Sequence, residues 1–236
     1  MYSLSSHFFL VFVQDAASTG IDTEQATGLI GLGPSSSSNI FYALGHPAGD
    51  PFLDKVFRQN TSTPNFVTFV LGRDGDSGDT IQGEFTIGEV IPNLANITNQ
   101  PKVPVHPASI HADQHWSGTL DGILGPDGKS IGLTSVVFGT PSNKLVAIYD
   151  TGFTLPQVPR DVSDAIYGRV PGASYDTSNG WWTIPCTQEV NLTIVIGGQN
   201  YPVHPLDVSS SDVDITVDNG VHMCVGAVGC RIHRLG

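Results

Sequence analysis

The 236-residue chain carries 22 acidic against 10 basic residues, a formal net charge of −12, which argues against a nucleic-acid binder or a partner for anionic membrane surfaces. Its 27 glycines and 16 prolines, with only 14% charged residues, point to many short strands and turns over a length that buries a sizeable core. Low basic content also suits a secreted protein working at low pH.

Near the start, His7-Phe8-Phe9-Leu10-Val11-Phe12-Val13 imitates the apolar core of a signal peptide. No Lys or Arg precedes it and it is too short to span a membrane, so it reads as a strand. Ala26-Thr27-Gly28-Leu29-Ile30-Gly31-Leu32-Gly33 has the order Gly-x-x-Gly-x-Gly, with Pro34 and a serine run following. A dinucleotide loop needs another glycine order and a helix at that point, so the stretch reads as a closely packed strand. Residues 35–38 read as a loop. Asp50-Pro51-Phe52-Leu53-Asp54-Lys55-Val56-Phe57-Arg58 is the best early helix, with Asp50 as cap, Pro51 at the first helical position and an apolar face of Phe52, Leu53, Val56 and Phe57. Strands are expected over 64–71 and 83–88 around a polar tip at 73–79, then an irregular connection over 92–107 with little helix potential.

His106, His111 and His115 invite a metal reading, but no supporting carboxylate or helical spacing accompanies them, and they read as surface histidines. Strands are expected over 116–124 and 135–138, with a turn at Pro126-Asp127-Gly128. Leu145-Val146-Ala147-Ile148-Tyr149 then runs apolar into Asp150-Thr151-Gly152. This predicts a buried strand that ends in a tight turn and holds a carboxylate inside the protein, and such carboxylates tend to be functional. Residues 159–167 read as a helix with Val162, Ala165 and Ile166 on one face and acidic residues in the first turn. Strands follow over 181–184 and 192–196, with the paired tryptophans as core or cleft wall. His222, Cys224, Cys230 and His233 lack an orthodox zinc spacing, and the end of the chain reads as unstructured.

Several of these segments together resemble the pepsin-like aspartic proteases of eukaryotes, of fungal type. Leu145–Thr154 is similar to the second of that family's two Asp-Thr/Ser-Gly loops, Ala26–Gly33 to its first-lobe Asp-Gly-Ile-Leu-Gly-Leu strand, and His115–Ile123 to the aromatic-rich strand before the second loop. Cys186 and Cys224 stand where the family has its second-lobe disulfide, with Gly198-Gln199-Asn200-Tyr201-Pro202-Val203 matching the hairpin between them. Such a bond would contribute roughly 3–4 kcal/mol and implies an oxidising compartment. The resemblance implies an all-β, bilobal acid-protease fold, with residues 1–64 as the remnant of an N-terminal lobe and 65–236 as a nearly complete C-terminal lobe.

The departures are equally specific. The family's first catalytic loop and its flap tyrosine lie upstream of the Gly28–Gly33 strand, where this chain has 27 residues and no Asp-Thr/Ser-Gly among them. An apolar-apolar-Gly-Asp strand is expected after the second cysteine, where Cys230-Arg231-Ile232-His233 stands instead. The chain thus reads as the middle of a protease, cut at both ends. In the family two carboxylates share a proton around one water, one acting as base while the other hydrogen-bonds the scissile carbonyl, without metal or cofactor. The resemblance makes Asp150 one member, Thr151 the hydroxyl that braces the loop and Gly152 a backbone N–H donor. Phe153 replaces a Ser or Thr that would bond the carboxylate.

The implied activity is acid endopeptidase acting on peptides and proteins, with weak or no catalysis by this chain alone. The alternative is a non-catalytic pepsin-like binding or inhibitor protein. A monomer is expected, a homodimer less so, in a secreted or vacuolar setting. Asn60, Asn96 and Asn191 begin glycosylation triplets for a secreted chain.

Overall fold

A computed structural model describes residues 31–72, 83–106, 115–132, 134–151, 156–216 and 220–229. Eleven strands and three short α-helices are placed among them, an all-β architecture as expected. The strand expected at residues 7–13 and the polar tip at 73–79 lie outside the described residues. The chain divides into two compact units, Met1–Gly118 with Ala147–Gly152, and Thr119–Val146 with Phe153–Gly236.

In the first unit, the serine run forms a single 3-10 turn, Ser35–Ser37. Ser38 then caps a helix that local pattern did not predict, α1 (Asn39–Leu44), by accepting the Phe41 N–H at 3.2 Å. Helix α2 (Phe52–Gln59) forms where expected but starts one residue later: Pro51 is its N-cap rather than its first helical residue, and Asp50 does not cap it. The Asp50 carboxylate is buried and committed elsewhere, to His46 Nδ1 at 2.8 Å and to the Arg58 guanidinium. Burial alone would raise the pKa of Asp50; hydrogen bonds and charge from Arg58 and His46 outweigh it and hold the carboxyl below its ordinary value. Strands β1 (Val67–Val70) and β2 (Glu84–Ile87) pair antiparallel, with Val67 opposite Ile87. Leu32, Leu53 and Val67 form this unit's core, with Phe52, Phe57, Phe69 and Ile87 packed around it. The connection over Pro92–Asn99 is 3-10 in character, broken at Leu94.

In the second unit, β6 (Ser174–Asp176), β7 (Trp181–Pro185), β10 (Ser209–Thr216) and β11 (His222–Gly226) form one sheet in the order β10-β11-β7-β6. Strands β4 (Gly122–Leu124), β8 (Leu192–Ile196) and β9 (Gln199–Val203) form another, ordered β4-β8-β9. The β8–β9 turn is built on Gly197 and Gly198, both at positive φ, which glycine adopts without steric cost. Helix α3 (Arg160–Tyr167) buries Val162, Ser163, Ile166 and Tyr167 against Ile184, Val190, Leu192 and Val208. The amphipathic spacing of 159–167 anticipated that face.

Three expectations fail here. The 116–124 stretch is two strands, β3 (Ser117–Leu120) and β4, separated at Asp121. Residues 135–138 are not a strand; Val136 and Phe138 are 97% and 88% exposed, and the segment closes on itself, with the Ser135 N–H donating to Ser142 O at 2.8 Å. The end of the chain is ordered at least to Gly229. Strand β11 is an inner strand of its sheet, and Met223, Cys224, Val225, Ala227 and Val228 are all buried.

The break at Asp121 has a physical cause. Lys144 Nζ donates to one Asp121 oxygen at 2.6 Å and the Gly198 N–H to the other at 2.8 Å. The Lys144 bond first, then the backbone N–H groups, hold the carboxyl below its ordinary value of 3.8 against partial desolvation. A lowered folded-state pKa contributes stability that is present above 3.8 and is lost as pH falls through the lowered value. Asp121→Asn is therefore expected to melt below the wild type at neutral pH, and the gap to close as the solution is acidified past that point. Thermal melts across the acid range check this; a gap independent of pH would dismiss it.

Candidate active site

Strand β5 (Leu145–Ile148) leads into Tyr149 and Asp150, as its apolar run predicted. It pairs with β3. The expected burial is not found. The strand is half-buried, Ile148 is 57% exposed, and Asp150 and Thr151 are exposed. Among the described residues β5 has one strand neighbour, β3. An accessible carboxylate at a strand end remains compatible with hydrolysis, which requires water and substrate to reach it. Gly152 and Phe153 lie outside the described residues.

The residues just before Asp150 are held closely. The Tyr149 N–H donates to the Trp116 carbonyl at 2.8 Å. The Trp116 indole Nε1–H in turn donates to the carbonyl of Leu32 at 2.8 Å. Leu32 is 2% exposed and forms the end of the Gly28–Gly33 segment. Gly31 to Gly33, expected in a closely packed strand, are not in one, although Leu32 and Gly33 are buried; residues 28–30 lie outside the described residues. Two segments that carried the resemblance are thus brought together with the third, since Trp116 and Tyr149 flank β3 and β5.

After the loop, the chain pairs with the segment beyond β11. The Val158 N–H donates to Gly229 O and the Gly229 N–H to Pro156 O, both at 3.1 Å, around a parallel bridge between Gln157 and Gly229. Cys186 and Cys224 form a disulfide, joining the end of β7 to β11. That bond removes Cys224 from any zinc site; Cys230 and His233 lie outside the described residues. His106 is half-buried and His115 exposed, while His111 is outside the described residues. Among the described residues no group of three or more His, Cys, Asp or Glu could hold a metal ion.

The sequence contains a further Asp-Ser-Gly, Asp76-Ser77-Gly78, that the reading by motif did not single out. It lies between β1 and β2, outside the described residues. Gly72-Arg73-Asp74-Gly75 precede it where the family's loop has an apolar strand.

The eukaryotic aspartyl protease family matches residues 8–232. The chain belongs to that family. As a eukaryotic aspartyl protease relative, it is similar to several fungal proteins. It is 24% identical over 202 residues to the aspartic-type endopeptidase ctsD of Aspergillus fumigatus, covering 81% of this chain and 35% of that protein. It is 31% identical over 234 residues to the major aspartyl peptidase 1 of Cryptococcus neoformans, covering 88% of this chain and 46% of that protein. A shorter stretch of 86 residues is 36% identical to penicillopepsin-2 of Penicillium janthinellum. The chain spans between about a third and a half of the length of the first two of these relatives. The family acts on peptides and proteins, and among the described residues no helix is long and apolar enough to cross a membrane.

Proposed function

We propose that this protein is an aspartic endopeptidase of the acid type and that Asp150 supplies one carboxylate of its catalytic pair. The observation that supports this is that the Asp-Thr-Gly sequence begins at Asp150, just after Tyr149 and the end of β5, in a chain whose family match runs almost end to end. Thr151 braces the loop and Gly152 offers its backbone N–H. The lobes in this reading are 1–64 and 65–236, a division by likeness to the family rather than by compactness, which changes over at Gly118. The protein acts as a monomer on extended peptides, does not bind nucleic acid, and works in a secreted or vacuolar setting. Cys186–Cys224 supports an oxidising compartment. Asn60, Asn96 and Asn191 are all exposed, as glycan acceptors must be.

The chain assayed alone should be weakly active or inactive, because no second Asp-Thr/Ser-Gly follows an apolar strand in it. The test is cleavage of a denatured protein at acid pH by the purified chain beside Asp150→Asn. Any acid cleavage should vanish in the variant, since the amide can neither accept nor hold the shared proton. Cleavage that persists in Asp150→Asn overturns the assignment. A second reading, a non-catalytic binding or inhibitor protein, is favoured by Phe153 in place of a hydroxyl. Binding of an intact protein without cleavage would support it.

A further inference from the structure

We propose that Trp116 is a positioning residue for Asp150, acting through Tyr149. The inference rests on the reading of Asp150 as a catalytic carboxylate, but its geometry stands apart from that reading.

Trp116 uses both of its polar ends. Its carbonyl receives the Tyr149 N–H at 2.8 Å, one residue before Asp150. Its indole N–H is spent on Leu32 O at 2.8 Å, a carbonyl in a residue 2% exposed. Leu32 is almost wholly shielded from water, so the bond meets little competition from solvent. The indole therefore anchors the backbone of Trp116 to the core of its unit, and that backbone fixes the height at which Tyr149 enters the loop.

The side chain of Tyr149 is seated by the next residues of the same segment. Gly118 is buried, and a Cβ there would lie 3.2 Å from the Tyr149 ring and 3.3 Å from Val103. The missing side chain is thus the seat of the tyrosine ring. The segment is clamped from its other side by the His106 N–H, which donates to Ser117 O at 2.8 Å. Tyr149 is consequently held by backbone and by ring, and Asp150, which is exposed, takes its direction from a residue that is not free to turn. Because a misplacement of about 1 Å can cost on the order of a hundredfold in rate, a site on an exposed strand end needs such a support behind it.

The experiment compares the full chain with Trp116→Phe and Gly118→Ala by amide hydrogen exchange, with cleavage kinetics alongside. Trp116→Phe keeps the ring bulk and the backbone carbonyl and removes only the indole donor. The Tyr149 amide should exchange about fivefold faster, the size of one net hydrogen bond, while β7 and β11 keep wild-type protection. Gly118→Ala should loosen the same amide by displacing the tyrosine ring. Unchanged protection at Tyr149 in Trp116→Phe overturns the proposal, and a uniform loss across β7 and β11 shows a merely structural role and overturns it too. Where the wild type cleaves, kcat should fall in Trp116→Phe with KM unchanged, as expected of a residue that acts only through Tyr149; an equal rise in KM counts against it. If Asp150→Asn cleaves as the wild type does, the catalytic reading fails, and positioning of the loop is still decided by the exchange result.

Discussion

Cys186→Ala/Cys224→Ala is expected to lower the unfolding free energy by about 3–4 kcal/mol and the melting temperature by roughly 6–16 °C. The bond spans 38 residues, and the segment it closes contains β8, β9 and β10. In the unfolded chain it keeps the two ends of that segment together, so the freedom lost on folding is smaller. In the folded chain it costs little, because β11 already pairs with β7. Cys224 lies opposite Ile184, and the Cys186 N–H donates to His222 O at 3.0 Å. Alanine is the right replacement. Cys224 is 5% exposed, and a serine hydroxyl there would add a buried polar group to the count. Thermal melts of the oxidised wild type, the reduced wild type and the double variant make the comparison. A change of less than about 1 kcal/mol would mean that the unfolded chain is already constrained by other means.

Tyr167→Phe is expected to cost about 1–3 kcal/mol, a large effect for the loss of one oxygen. Tyr167 is fully buried, and its hydroxyl is shared by two backbone groups. It donates to Val208 O at 2.7 Å and accepts from the Val228 N–H at 2.9 Å. Removing it leaves the N–H of the buried Val228 without the partner that makes its burial tolerable, while the Val208 carbonyl keeps the Ala227 N–H at 2.9 Å. Burial drives the phenol pKa well above its ordinary value of 10.0, so the hydroxyl keeps its proton and its donor role through the neutral and acid range. The ring is equally constrained. A Cβ on Gly226 would lie between 2.7 and 3.0 Å from three of its atoms, so Gly226→Ala is destabilising for a reason independent of hydrogen bonding. Urea unfolding of the two variants gives the free energies. A Tyr167→Phe value near zero would show that water replaces the hydroxyl, and that the α3 end of the core is open.

The site was legible in part, and the part that failed is informative. The strand before Asp150 announced itself by four apolar residues in a row, and the loop by Asp-Thr-Gly. The burial of that strand did not follow, because an apolar run says that a strand could be covered and not that a neighbour is there to cover it. The same limit explains residues 135–138, where apolar residues close a turn on themselves. Asp50 shows the converse. Its place before Pro51 is a cap pattern, but a carboxylate between His46, four residues before it, and Arg58, in the last turn of the helix it precedes, satisfies itself there instead. Trp116 stood out as an aromatic, yet nothing local told that its indole would reach a residue 84 positions away.

Taken alone, the residues determined the predominance of short strands, the amphipathic helix at α3, strand β8 and the strand that leads to Asp150, because each depends on neighbours within a few positions and on the periodicity of apolar side chains; the bilobal class and the β8–β9 hairpin follow from the resemblance to the family. The tertiary structure decided that β11 is an inner strand rather than a loose end, that Tyr167 serves two distant backbone groups, and that Asp150 is exposed, one residue after a tyrosine whose N–H is bonded to Trp116. Those outcomes depend on which far segment arrives to bury an apolar face or to accept a hydrogen bond, and spacing along the chain carries no record of that meeting.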